Sequence, residues 1–354
     1  MNDRTGRIDV GILGATGTVG QQFVRLLAAH PWFRASWLAA SERSEGKRYS
    51  EAATWRLGGQ APADAAGAVV QACQPGRGPR LVFSALDASA AADVEPAFAK
   101  AGHVVVSNAR SFRMQPDVPL LIPEINPEHL ALITRQRRER GWAGAIVTNP
   151  NCATVVAAMV LGPLRTFGIR SVIVTTMQAV SGAGYPGVPS LDIVSNVIPR
   201  ISGEEEKIES ETQKILGSMT DGAVTPHAMV VSAHTNRVPV IDGHTETLSI
   251  GFDERPSPSA IRKALEEFRG RPQTLSLPSA PPQPIVCLDA DDRPQPRLDV
   301  DLDHGMGVTV GRIRNCPVLH TKLVALGHNT IRGAAGAAVL NAELLASERI
   351  IEFD

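Results

Sequence analysis

Aromatic side chains are scarce in this chain of 354 residues, at 4% with only two tyrosines. That disfavours the stacking platforms that hold single-stranded nucleic acid. An excess of charge of one sign is missing too. Lysine and arginine number 35 against 36 aspartates and glutamates, a formal net charge of −1. A surface built throughout to neutralise nucleic-acid phosphates is thereby disfavoured. Cysteine is rare: Cys73, Cys152, Cys287 and Cys316 lie far apart and form no C-x-x-C pair. This argues against a disulfide framework or a zinc or other metal site, and leaves room for one special cysteine. Long apolar runs are absent as well. The longest, residues 153–164, is too short to span a bilayer and contains Pro163. The first residues show neither an h-region nor a cleavage pattern, so the expectation is a soluble cytoplasmic protein with no membrane partner.

What is present is ordinary globular usage, 43% hydrophobic and 20% charged residues, over a length that suits about two domains of ~150 residues. The first third alternates. Residues 8–13 read as a buried strand, and 19–29 as a helix with Val19, Phe23, Leu26 and Leu27 at helical spacing, ended by Pro31. Strands are expected at 36–40, 81–85 and 103–107, with a helix at 91–100. Continuous apolar strands alternating with helices imply a doubly wound parallel sheet, an α/β class. After Thr148 the strands become longer and of mixed polarity (171–178 and 245–252), with a charged helix at 204–216 between them. Further strands are expected at 297–302 and 307–314, after a proline-rich connection at 277–284. This reads as an α+β second domain. The closing segment, from Asn329, is a helix of small residues suited to close packing against the first domain.

Gly11, Gly14, Gly17 and Gly20 sit between the first strand and the first helix. Glycines there allow a tight turn and close backbone approach to a pyrophosphate, at a helix N-terminus whose free N–H groups attract anions. An ordinary tight connection also uses glycine, but strand before and helix after favour a dinucleotide, with Thr16, Thr18 and Val19 in the same turn. At the end of the second strand, Arg43 flanked by Ser41 and Ser44 suits the 2′-phosphate of NADP. Glu42 beside it keeps NAD open.

Cys152 opens an apolar helix that Asn151 can cap. The positive end of the helix dipole favours a thiolate, the setting that a cysteine nucleophile needs. A small buried cysteine at a domain seam is the plainer alternative. Cys73, Cys287 and Cys316 have no comparable setting.

The motifs G-I-L-G-A-T-G-T-V-G, S-E-R-S-E-G-K, S-N-A-R-S-F-R-M, N-P-N-C-A-T, M-Q-A-V-S-G-A-G-Y-P-G, G-E-E-E-K-I-E-S-E-T, N-R-V-P-V-I-D-G-H-T and H-N-T-I-R-G-A-A-G follow one another nearly end to end. In this order the chain resembles the aspartate-semialdehyde dehydrogenases, specifically their archaeal- and fungal-type branch. The resemblance implies a Rossmann-type NADP-binding domain at 1–150, completed by a C-terminal helix at 329–354. A catalytic and dimerisation domain at 151–328 would form a homodimer or homotetramer. It also implies NADPH-dependent reduction of L-4-aspartyl phosphate to L-aspartate-4-semialdehyde through a thioester on Cys152. His244 would be the general acid/base, titrating near neutral pH at the strand start after Asp242-Gly243, and Gln178 would orient the acyl group.

For the substrate, the resemblance implies Arg237 as the carboxylate clamp, Glu204 for the α-ammonium and Lys207 for phosphate, with Arg110 and Asn151 as further phosphate candidates. Spacing alone would make Glu204, Lys207, Glu211 and Lys214 a solvated salt-bridged stripe. For the cofactor it adds Ser84, Ala85, Leu86, Ser181, Gly182 and Asn329. Two positions depart from the branch, Gly327 where serine is usual and His320 where aspartate is usual. Both are expected near the cofactor-side helix or the subunit surface, away from the reacting groups. A related acyl-CoA reductase, such as a malonyl-CoA reductase, is the alternative activity. Glu204 argues against it, because malonyl-CoA has no α-ammonium.

Overall fold

The computed structural model describes residues 6–350. Positions 1–5 of the expected first domain and 351–354 of the expected closing helix lie outside the described residues.

Six parallel strands make the first sheet: β1 (Ile8–Leu13), β2 (Phe33–Ala40), β3 (Gln71–Ala72), β4 (Leu81–Ser84), β5 (Val104–Ser107) and β6 (Ala145–Thr148), in the spatial order β3-β2-β1-β4-β5-β6. The order reverses between β1 and β4, and a doubly wound sheet opens a crevice at the strand ends there. Strands β4, β5 and β6 are buried at every position, as helices covering both faces require. The first helix, Thr18–Ala28, buries Phe23, Val24 and Leu27 against this sheet. Helix Ala88–Lys100 begins at Asp87, whose carboxylate accepts from the N–H groups of Ser89 and Ala90.

The second sheet is mixed. Its order is Val230–Arg237, Ile169–Gln178, His244–Phe252, Thr321–Gly327, Val308–Asn315 and Ile285–Leu288, the first pair and the last pair parallel and the rest antiparallel. Helices Cys152–Leu164, Glu204–Ile215 and Pro258–Glu267 cover one face. On the other, Ile173 and Val230 remain exposed, as expected of residues that alternate about a half-covered sheet. The expected strand at 297–302 does not form. Pro296 starts a short helix, Pro296–Asp299, whose Asp299 carboxylate accepts from the Gln295 N–H, and irregular turns follow. Proline suits a first helical turn, where no N–H is needed. The strand before Val308–Asn315 is instead Ile285–Leu288. The closing segment starts with a π-turn, Ile331–Ala335, and continues as helix Gly336–Ser347. Its Ala338, Val339, Leu340, Leu344 and Leu345 share one apolar core with Val10, Ile12 and Phe83 of the first sheet.

Among the buried polar residues, Glu246 lacks a hydrogen-bond partner among the described residues at both carboxyl oxygens. It is fully buried, and burial pushes its pKa well above the carboxylate range. The folded chain therefore holds a proton that the unfolded chain releases above about pH 4.5, so this group costs stability as pH rises. Glu246→Leu is expected to raise the melting temperature by about 2–4 °C per kcal/mol regained. The gain should be larger at pH 8 than at pH 5; equal gains by calorimetry would show that no proton is retained.

Candidate functional site

Four strands of the second sheet present one row of residues at one edge. Arg237 pairs in register with Gln178; His244 starts the next strand beside Gln178; Gly327 is the partner of His244. The turn before His244 depends on Gly243, at φ +100°, where a side chain would strain the backbone and press on Val300 and Leu326. Above this row stands the N-terminus of helix Cys152–Leu164. Asn151 caps it, its side-chain oxygen accepting from Ala153 and Thr154 N–H at 3.0 and 3.2 Å. Cys152 Sγ then lies 3.1 Å from His244 Nε2.

The electrostatics differ from the expectation of an acidified thiol. Burial pushes the Cys152 thiol up to about 12; Glu204 adds to this, while Arg113, Arg237 and the Ala153 N–H oppose it. Burial, reinforced by Arg237, pulls His244 down to about 3, not near neutral pH. Loss of solvation outweighs a helix dipole that is worth at most ~2 kcal/mol. Both shifts favour a neutral thiol and a neutral imidazole in the resting pair. Cys73 and Cys287 are raised chiefly by burial. Cys316 is the lowered thiol, because the Leu319 N–H points at its sulfur from a surface turn.

The charged helix Glu204–Ile215 turns its stripe inward. Glu204, Glu211 and Lys214 are buried and Lys207 is partly so. Glu204 accepts from Asn151 Nδ2 at 2.6 Å and from Lys207 Nζ at 2.5 Å. Glu211 accepts the Asn151 backbone N–H at 2.6 Å and Arg113 at 3.0 Å. Arg110 is exposed, and the arginine of this loop that is buried and acts on Cys152 is Arg113. Its Nε is buried with no acceptor among the described residues. A lone donor on a buried guanidinium suits an anion. Arg113, Glu211 and the buried Asn341, which donates to Asn149 at 2.5 Å, were missed in sequence. The S-N-A-R-S-F-R-M motif contains both arginines, and only the chain's path separates them.

Arg237 donates to the Ala179 carbonyl at 2.7 Å, and Gln178 donates to Thr176 Oγ1 at 3.2 Å. Ser181 and Gly182 pass over the site. A Cβ on Gly182 would stand 2.8 Å from Arg237 and 3.1 Å from the His244 ring, so the loop leaves no room for a side chain. Asn329 donates to Ser181 Oγ at 2.7 Å and accepts the Gly243 N–H at 2.8 Å, which ties this loop to the His244 turn. Below, Gly333 meets Cys152: a Cβ there would lie 2.6 Å from the Cys152 Cβ. The two departures from the branch also find their places. Gly327, paired with His244, lies beside the contact of Cys152 with His244 and not away from it, and a Cβ there would lie 2.7 Å from Val156 of the Cys152 helix. His320 accepts the Phe252 N–H at 2.9 Å.

A dinucleotide fits the first domain. Gly14, at φ +74°, packs so closely that a Cβ would lie 2.8 Å from the Ala85 carbonyl, and a Cβ on Gly20 would overlap the Gly14 carbonyl. Turn and helix start thus form a cradle of bare backbone around Thr16, Gly17, Thr18 and Val19. Gly11 is not part of it; it lies within β1, where a Cβ would press on Trp37. Ser84 ends β4 and Ala85 and Leu86 follow it, across the crevice. Arg43 and Ser41 are exposed in the turn after β2, closed by the Ser44 N–H to the Ser41 carbonyl at 2.8 Å.

Comparison with known proteins agrees with this arrangement. The family model "Semialdehyde dehydrogenase, NAD binding domain" matches residues 9–133, and "Semialdehyde dehydrogenase, dimerisation domain" matches 161–332. An aspartate-semialdehyde dehydrogenase of Archaeoglobus fulgidus is 51% identical over 346 residues, 98% of this chain and 100% of the relative. That of Saccharomyces cerevisiae is 45% identical, over 98% of this chain and 100% of its own. The crystal structure of the Candida albicans enzyme with NADP superposes with a TM-score of 0.90 at 44% identity, covering 98% of this chain and 100% of that one. The row of Arg237, Gln178 and His244 under Cys152, the dinucleotide cradle and 45–51% identity to relatives over 98% of the chain lead to one conclusion: the chain belongs to the aspartate-semialdehyde dehydrogenase family.

Proposed function

We propose that this chain reduces L-4-aspartyl phosphate to L-aspartate-4-semialdehyde and phosphate with NADPH, reversibly, through a thioester on Cys152. The contact of 3.1 Å between Cys152 Sγ and His244 Nε2, flanked by Arg113 and Arg237, carries the reading. Arg237 would take the substrate carboxylate and Glu204 its ammonium, with Lys207, Asn151 and Arg113, in place of Arg110, toward the phosphate. Glu204 is one of the charges that disfavour the thiolate. A substrate ammonium beside it offsets that charge, so the nucleophile is favoured when substrate is present. The Cys152 sulfur attacks the acyl carbon, the bond from that carbon to the phosphate oxygen breaks, the thiol proton leaves with the phosphate, and the thioester forms. Bound NADPH supplies the hydride that reduces the acyl group. His244 Nε2 holds the proton for the resulting oxygen, and Gln178 orients that group; when that proton returns to Nε2 the bond from carbon to the Cys152 sulfur breaks, the aldehyde leaves and the sulfur regains a proton from solvent. The cradle of Gly14, Gly17 and Gly20, with Ser84 to Leu86, would hold the dinucleotide, and Arg43 with Ser41 and Ser44 its 2′-phosphate.

We assign residues 1–150 and 329–354 to the cofactor domain and 151–328 to catalysis and dimerisation. The uncovered face of the second sheet around Ile173 and Val230 supports a homodimer; tetramers would need a further surface. A cytoplasmic location is part of this proposal, supported by the fact that no helix among the described residues is long and apolar enough to cross a membrane. The test is phosphate-dependent NADP reduction with aspartate semialdehyde, set against NADPH oxidation with malonyl-CoA. Turnover of malonyl-CoA alone would replace this reading with the acyl-CoA one.

A further inference from the structure

We propose that Lys214 is a positioning residue for the anion site: it fixes the loop that carries Arg113 relative to Cys152. The proposal rests on the phosphate role given to Arg113 above. The chain from Asn108 to Val118 crosses from the first domain toward the second without a regular helix or strand. Such a segment has no ladder of its own to satisfy its carbonyls. Three of them, on Arg113, Gln115 and Val118, converge on Lys214 Nζ at 2.6, 2.8 and 2.9 Å. An ammonium has three donors and no acceptor, so donors and acceptors match in number.

One turn earlier on the same helix, Glu211 holds the Arg113 guanidinium and the Asn151 N–H. Lys214 thus sets the Arg113 backbone while Glu211 sets its side chain, and both refer it to the residue before Cys152. The Asn108 carbonyl accepts a further Arg113 N–H at 2.9 Å. That leaves Nε as the guanidinium nitrogen without an acceptor among the described residues.

The charges around Lys214 are identifiable. Glu211 lies on its own helix, and Asp117, itself paired with Arg140, lies on the loop. Both carboxylates favour the ammonium, Arg113 is held beside them, and His129 is close enough to feel the lysine's charge. Burial acts against the charge and brings the lysine down to about 8. A neutral amine has two donors for three carbonyls, so the loop loses one tether when the proton leaves.

The experiment measures KM for phosphate, semialdehyde and NADP in wild type, K214M, K214R, R113A and R113A/K214M. Charge-assisted hydrogen bonds of this kind predict that K214M raises the phosphate KM about tenfold and moves the other two by less than about twofold. In the R113A background K214M should add nothing further, because the lysine acts through Arg113. The wild-type phosphate KM should rise above about pH 8, and K214R, which keeps its charge, should lack that rise. Equal rises in all three KM values, additivity with R113A, or an alkaline rise that persists in K214R would each overturn the proposal. The arginine variant keeps the test decisive even where K214M does not fold. A wild type that is inactive with semialdehyde and phosphate would instead overturn the underlying activity. An active wild type with an unmoved phosphate KM in K214M overturns only the role of Lys214.

Discussion

Cys152→Ala is expected to lower phosphate-dependent turnover by about 10⁴-fold or more, the scale seen when a covalent nucleophile is removed. Binding of NADP, followed by fluorescence titration, should change little. The reason is spatial: the dinucleotide cradle is built by Gly14, Gly17 and Gly20 at the end of β1, whereas Cys152 opens a helix that packs on the second sheet. The substitution removes only the sulfur from a helix start whose cap, Asn151, and whose partner Glu211 remain. Turnover within about tenfold of wild type would eliminate the thioester route. Loss of NADP binding along with activity would show instead that the seam between the domains had been disturbed.

His244→Asn should lower kcat by about 10²- to 10⁴-fold, the usual range for a general acid/base. The wild-type pH profile carries the sharper information. With the imidazole pulled down to about 3, His244 stays neutral across the ordinary assay range, so kcat/KM should show no acid limb near pH 6.5 that depends on this residue. Linkage adds a second measurement. The unfolded chain takes up a proton on this histidine below about 6.5 while the folded one stays neutral until about 3. His244 therefore costs stability as pH falls through that window, and the asparagine variant should show a shallower acid-side fall in melting temperature. An acid limb near 6.5 that vanishes in the variant would show that the free enzyme carries an imidazolium.

The early parts of the fold were legible because their determinants are local. Apolar runs at β1, β4 and β5 mark buried parallel strands, and glycine at 14, 17 and 20 marks the turn between strand and helix. Asn151 before an apolar run marks both a cap and a helix start, which is enough to select Cys152 among four cysteines. The strand expected at 297–302 failed for an equally local reason that apolar content hides: Pro296 and Asp299 build a helical turn. The short edge strand Ile285–Leu288 and the polar strand Val230–Arg237 were missed because mixed composition at a sheet edge resembles a loop.

By itself the sequence determined the two-part architecture, the glycine turn between first strand and first helix, the capped helix start at Cys152 and, through ordered motifs, the family. Those features depend on residues adjacent in the chain or on patterns that repeat with a helix or strand. Tertiary structure alone decided which arginine faces the sulfur, since Arg110 and Arg113 differ only in where one loop turns them. It decided that Glu204, Glu211 and Lys214 face inward and not toward water, which the 3.6-residue period cannot state. It also set the protonation of the resting pair. A helix dipole is a local property and favours the thiolate, but burial is a property of the whole fold, and at Cys152 and His244 burial prevails.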